Sequence, residues 1–363
     1  MERKMSIPFD GQDRRDAVPD ILKCLCCVFV IIIHTASQSM SALHIDTFNW
    51  FSASFWGSLC RPAVPVFLMV SGSLLLDPEK ELSIWQIYTR YFLRILLCLL
   101  FWAFLYELYF IAGYWILYRQ FDPLWFLDAV KNTLFFDHHF HLYYLQLLLI
   151  FYVFLPALRV FAAKADRKTL RYTLGIWMIF GILLPTLAKY PPFSQITGIP
   201  GEYPLSMTYS ALGYGLLGWY LKTADIRREQ FRRYLLIFLG GFAIVYGMTI
   251  LLSFSQSCLN QDFLDGFTPG VALMAVGLFG GVSALYGGRD ARSMPRVLWF
   301  SKASFCIYLV HHFFVMLLLT YLYFAYKYFC LVVIPLQAAA VLGMSLLSYL
   351  MLKRIPWVKD HLI

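Results

Sequence analysis

Charge is what this 363-residue chain has least of: 14% of its residues are Asp, Glu, Lys or Arg, where a soluble domain carries roughly a quarter. Acids are the scarcer sign, 21 against 30 Lys and Arg. With 60% hydrophobic residues, there is too little polar surface to cover a water-soluble globule, which excludes an ordinary soluble enzyme. A disulfide framework is also missing. Cys24, Cys26, Cys27, Cys60, Cys98 and Cys306 fall inside apolar runs, where cysteine acts as a small hydrophobe. No Cys/His spacing resembles a zinc site, so neither a metal nor a bound cofactor is expected. The start is polar and charged, and the first apolar run lacks a small-residue cleavage site, so no cleavable leader is expected. There is no internal repeat and no separate soluble domain. The chain therefore reads as one domain over residues 1–363, with a polar lead over 1–19.

What it has in abundance is long apolar runs. Ten of them lie at about 21–41, 54–76, 91–112, 141–163, 172–189, 206–221, 234–254, 266–286, 303–325 and 331–352. Each is near the roughly 20 residues that cross a bilayer. The fold class is an all-α integral membrane bundle of about ten helices. An even count puts both termini on one side, and the basic residues say which. With the N-terminus inside, the inner loops hold Lys164, Arg167, Lys168 and Arg171, then Lys222, Arg227, Arg228, Arg232 and Arg233, then Arg289, Arg292, Arg296 and Lys302, and the tail Lys353, Arg354 and Lys359. The outer segments hold only Arg119, Lys131, Lys189 and Lys327. So the net charge of +9 reports cytoplasmic loops, not a nucleic-acid partner.

Against that apolar background a few polar residues stand out. An ionisable group inside a membrane span is costly, and its default reading is functional. Lys23 and His34 lie in the first span, eleven residues apart. At about 100° per residue they share a helix face to within roughly 20°, separated by roughly 16 Å along the axis. The plain alternative for Lys23 is snorkelling to the interface, and for His34 a packing role. Arg61 lies in Arg61-Pro62-Ala63-Val64-Pro65, about seven residues into the second run and level with His34. Its prolines free backbone carbonyls, which is tolerated at depth only against protein or water. His141 and Tyr144 open the fourth run. Ser304, Tyr308 and His311 recur at spacings of four and three in the ninth, so they line one face, and the neighbouring His312 points elsewhere. Glu107 and the loop acids Asp262 and Asp265 read as ordinary residues near the outer surface.

These motifs, in this order and topology, resemble membrane-bound acyltransferase family 3 over essentially the whole chain. The matching stretches are Lys23 with His34, the run from Arg61 to Gly72, His141-Leu142-Tyr143-Tyr144-Leu145, and Ser304 to His311. The family usually carries arginine where this chain has Lys23. The resemblance implies an enzyme that moves an acyl group, usually acetyl, from acyl-CoA to a hydroxyl of a surface or lipid-linked glycan. It places the chain in the cytoplasmic membrane of a bacterium, among membrane lipids. On it, His34 and Arg61 are catalytic, and Lys23, His141, Tyr144, Ser304, Tyr308 and His311 bind substrate. His34 would serve as general base or carry the acyl group itself. Arg61 would stabilise an oxyanion or orient the acceptor. Acetyl-CoA is then a co-substrate. The competing reading is a carrier or flippase for a glycan or small anion, since buried cations and histidines also suit transport. The acceptor and the oligomeric state are not written in the sequence.

Overall fold

The computed structural model describes residues 15–137, 139–322 and 328–363. Arg3, Lys4, Arg14, His138 and Lys327 lie outside the described residues. The described chain is helical, and its strand-like pairing is one isolated bridge between Asp16 and Asp290. The first span is α1, Ala17–Ala42. The second is split into α2, Phe48–Leu59, and α3, Ala63–Leu75. Then come α4, Leu93–Tyr118, α5, Leu124–Leu134, and α6, Tyr143–Lys164. The second half holds α7, Arg167–Trp177, which continues to Leu187 through a π-helical turn, then α8, Met207–Lys222, and α9, Phe231–Gln256. Last come α10, Pro269–Tyr286, α11, Pro295–Leu322, and α12, Cys330–Leu352. Among the described residues nine helices are long and apolar enough to cross a membrane. The tenth, α8, has 16 residues, about 24 Å at the α-helical rise.

The chain is thus a multi-pass membrane protein, and its loops sort by face. Ala17 N–H donates to the Arg289 carbonyl and Ala291 N–H to that of Arg15, at 3.0 and 2.7 Å. Lys222 reaches Asp77 at 2.8 Å, and Arg159 donates to the carbonyls of Leu75, Asp77 and Lys80. These contacts gather the basic loops on one face, as the charge bias requires. On the other face Lys189 pairs with Asp262 at 3.0 Å, and Trp56 Nε1 donates to the Leu331 carbonyl.

Several boundaries differ from expectation, and the ninth span, for one, starts eight positions early at Pro295. The second span starts at Phe48, where Thr47 caps the helix by accepting from Trp50 N–H. Arg61 is therefore thirteen positions in, at the break between α2 and α3, rather than seven. The third span runs from Ile84 to Tyr118, longer at both ends than its most apolar stretch. The connection after it folds into α5, whose Asn132 amide donates to Glu107 at 3.3 Å, so Glu107 anchors a helix instead of facing solvent.

The tightest crossing is between α3 and α8. A Cβ on Gly72 would lie 2.0 Å from the Gly215 carbonyl oxygen, and one on Gly218 would lie 1.9 Å from that of Met69. Backbone meets backbone there, the contact that small residues permit between membrane helices. This seam fixes α3, and with it Arg61, against the second half of the bundle.

Candidate active site

The face of α1 foreseen from spacing leads from one membrane side into the bundle. At its start Asp20, 1% exposed, takes a bidentate pair from Arg15 at 2.8 Å and a hydroxyl from Ser301 at 2.6 Å. Those bonds tie α1 to the start of α11. Lys23, one turn on, lines a cavity of about 370 Å³. Arg90, Arg94 and Lys302 line it with Lys23, and the wall continues past Ser304 to Tyr144 and Tyr308. One end is therefore cationic and the other phenolic. Lys302 and Tyr308 are six residues apart, about 9 Å along the helix. The Tyr308 hydroxyl donates to the His141 carbonyl at 2.6 Å, which joins the phenolic end to the next feature.

That feature is a chamber of histidines. The His34 ring centroid lies 4.9 Å from that of His312, 5.2 Å from His311 and 6.3 Å from His141. His139 stands 4.5 Å from His312 and 4.7 Å from His141. Tyr106 closes one wall, 4.5 Å from His141 and stacked on Phe313 at 3.7 Å. His141, His311 and His312 are 1%, 0% and 2% exposed, whereas His34 keeps part of its surface open. Of the five rings, His34 and His139 are the two that keep part of their surface open.

The chamber leaves several polar atoms unmet, as do Trp50, Ser54, Ser58 and Gln337 elsewhere in the bundle. Buried polar groups normally find partners. Here His141 Nε2, His311 Nε2, His312 Nδ1 and Arg61 Nε are buried with no hydrogen-bond partner among the described residues. Arg61 is within electrostatic reach of His34, and its own neighbours include Tyr143 and Asp265. Each such group costs roughly 1–3 kcal/mol, and here four of them are gathered around one cluster of rings.

The site residues foreseen from sequence fall into two neighbouring groups, with Arg61 apart from both. Lys23, Tyr144, Ser304 and Tyr308 line the cavity; His34, His141 and His311 form the chamber. Arg61 sits at the α2–α3 break within reach of His34. Two expectations are corrected. His312 does not point away: α11 presents both adjacent histidines to His34, because a ring on each of two adjacent faces can flank a neighbour that sits between them. Asp265, expected as an ordinary loop acid, acts electrostatically on Arg61. His139 and Tyr106 also belong to the chamber, and their only sequence signal is that they sit near the outer ends of their spans.

Helices built around an inward-facing histidine cluster, with a cavity partly lined by cations bonded to it through Tyr308, suit a membrane-embedded group-transfer or binding protein. The chain matches a family model described as an acyltransferase domain over residues 16–353, and so it belongs to membrane-bound acyltransferase family 3. No curated protein and no solved structure matches the chain.

Proposed function

We propose that this acyltransferase moves an acyl group, acetyl in the first instance, from cytoplasmic acyl-CoA to a hydroxyl of a surface or lipid-linked glycan across the bacterial inner membrane. The observation that carries the reading is the cavity lined by Lys23, Arg90, Arg94 and Lys302 and, further along, by Tyr144 and Tyr308, with Tyr308 bonded to the carbonyl of His141, whose ring lies 6.3 Å from that of His34. Phosphates are held well by such cations, and the narrow pantetheine arm suits a channel whose far wall is phenolic. In this reading the thioester carbonyl reaches the chamber from the basic side and the acceptor hydroxyl from the opposite side. His34 takes the hydroxyl proton as the new C–O bond forms. The C–S bond then breaks, and the same proton passes to the leaving thiolate. Arg61, a buried cation among few acids, offsets the negative charge on the carbonyl oxygen. The motif series resembles that of the enzyme that O-acetylates the enterobacterial common antigen, which supports a glycan acceptor on a lipid carrier.

The test is purified protein in detergent with acetyl-CoA and a mixture of glycan acceptors, followed by free thiol. Thiol release that needs an acceptor, and that fails in His34→Gln, supports transfer. Uptake of an anion into vesicles without thiol release would instead favour the carrier reading.

A further inference from the structure

His34 has a geometry that general-base work alone does not call for. Three imidazoles surround one point: His34 from α1, and His311 and His312 from α11. One ring nitrogen from each lies within 4.8 Å of the other two. A zinc-class ion sits about 2.0–2.1 Å from each ligating nitrogen, which puts the ring centroids roughly 5 Å apart at a tetrahedral angle. The three centroid distances here are 4.9, 5.2 and 6.0 Å.

Two further observations point to an ion. His311 Nδ1 lies 2.6 Å from the Tyr308 carbonyl oxygen. A carbonyl can only accept, so Nδ1 carries the proton and the Nε2 lone pair is free. This is how ligating histidines are ordinarily oriented, with the second nitrogen donating to a carbonyl. That Nε2, and Nδ1 of His312, are among the buried nitrogens without a partner, in residues 0% and 2% exposed. The donor set of neutral imidazoles suits Zn²⁺ and its borderline neighbours rather than Mg²⁺ or Ca²⁺. Three ligands leave a fourth position open to water. The opposing term is Arg61, whose charge acts on His34 and lowers affinity for a dication.

We propose that His34, His311 and His312 form a binding site for one zinc-class divalent ion, and that an ion seated there halts acyl transfer by occupying the lone pair of His34. The ion site stands on geometry alone; the block rests on the reading of His34 as proton acceptor. Such an ion enters from the outer side, where α1 ends eight residues beyond His34 at Ala42. Zinc outside the cell would then hold the enzyme off, and its withdrawal would release it.

The experiment uses purified full-length protein carrying His44→Asn and His361→Asn, which removes two exposed histidines outside the chamber. Titration with Co²⁺ should give the strong visible absorption of a four-coordinate, nitrogen-ligated ion at one equivalent, displaced by Zn²⁺. His311→Asn should weaken binding roughly a hundredfold or more, beyond the effect of losing an outer-shell partner. Arg61→Gln should tighten it. If His311→Asn does not survive purification, His34→Gln replaces it with the same expectation. Absence of saturable binding, or binding that ignores both substitutions, overturns the site. In the transfer assay Zn²⁺ should inhibit in proportion to occupancy, and a chelator should restore activity. Full transfer at full occupancy overturns the block and the base role of His34, but not the ion site. Ion binding by a protein that transfers nothing under any condition contradicts the proposed reaction alone.

Discussion

The α3–α8 seam and the histidine chamber are built on opposite terms. At the seam, backbone lies against backbone with no room for a Cβ on Gly72 or Gly218, and nothing polar is left over. In the chamber, three histidine nitrogens and Arg61 Nε are buried without partners. The seam minimises free energy locally, whereas the chamber spends it, and a bundle can carry the second only because it has the first. The comparison separates what a substitution should do: seam changes should cost stability, and chamber changes should cost turnover.

The largest expected effect is in the chamber. His34→Gln removes the proton acceptor and should lower transfer by roughly 10²–10⁴-fold with the melting temperature unchanged. His312→Gln, within one ring of His34, should lower transfer by about tenfold or more by disturbing its position. Acyl-transfer rates and thermal melting in detergent, measured on the same preparations, check both. If stability and transfer fall together in His34→Gln, the chamber is scaffold and the contrast with the seam disappears.

Lys23→Ala tests the other end of the cavity. A hydrogen bond to a charged group contributes about 1.5–3 kcal/mol, so KM for acyl-CoA should rise roughly ten- to a hundredfold with kcat nearly kept. Lys23→Arg should retain the parent KM. An unchanged KM in Lys23→Ala would make the residue a snorkelling cation. The seam is probed by Gly218→Ala, whose new methyl meets the Met69 carbonyl. Overpacking of this kind costs about 1–3 kcal/mol, read as a lower melting temperature while the protein that remains folded keeps its turnover.

The smallest effect lies outside the membrane. Burial pushes the Asp77 carboxyl up, but the Lys222 ammonium outweighs it and holds the pKa below the usual carboxylate value. A carboxyl depressed in the folded state stabilises above its unfolded pKa of about 3.9, and the stabilisation is lost as pH falls through the lower folded value. Asp77→Asn should therefore cost about 0.5 kcal/mol at neutral pH and nothing in stronger acid, as melting curves across that range would show.

Much of this was legible in the sequence because membranes constrain it so strongly. Apolar run length gave the spans, and the basic loops were expected to share one face, as their contacts to one another agree. Helical period put Lys23 and His34 on one face and put Ser304, Tyr308 and His311 on another. The remainder depended on how helices meet. A stripe rule treats a helix as having one inward face, so it set His312 aside; α11 is enclosed on more than one side and directs both histidines inward. Thirteen positions of depth at Arg61 were hidden because aromatic residues such as Phe48 and Trp50 begin that helix with Asn49 among them, which blurs the hydropathy edge. Asp265 acts on Arg61 at a distance, from a loop in which the Tyr214 hydroxyl donates to the Gly266 carbonyl at 2.6 Å. No local spacing encodes that electrostatic coupling.

In the proposed reaction, donor and acceptor reach His34 from opposite membrane faces. The most direct measurement reconstitutes the protein in vesicles with its basic loops inward, seals labelled acetyl-CoA inside and supplies a glycan acceptor only outside. The account predicts labelled ester on the external acceptor, free thiol retained inside, and neither in His34→Gln. Transfer only when donor and acceptor share the same side would contradict it.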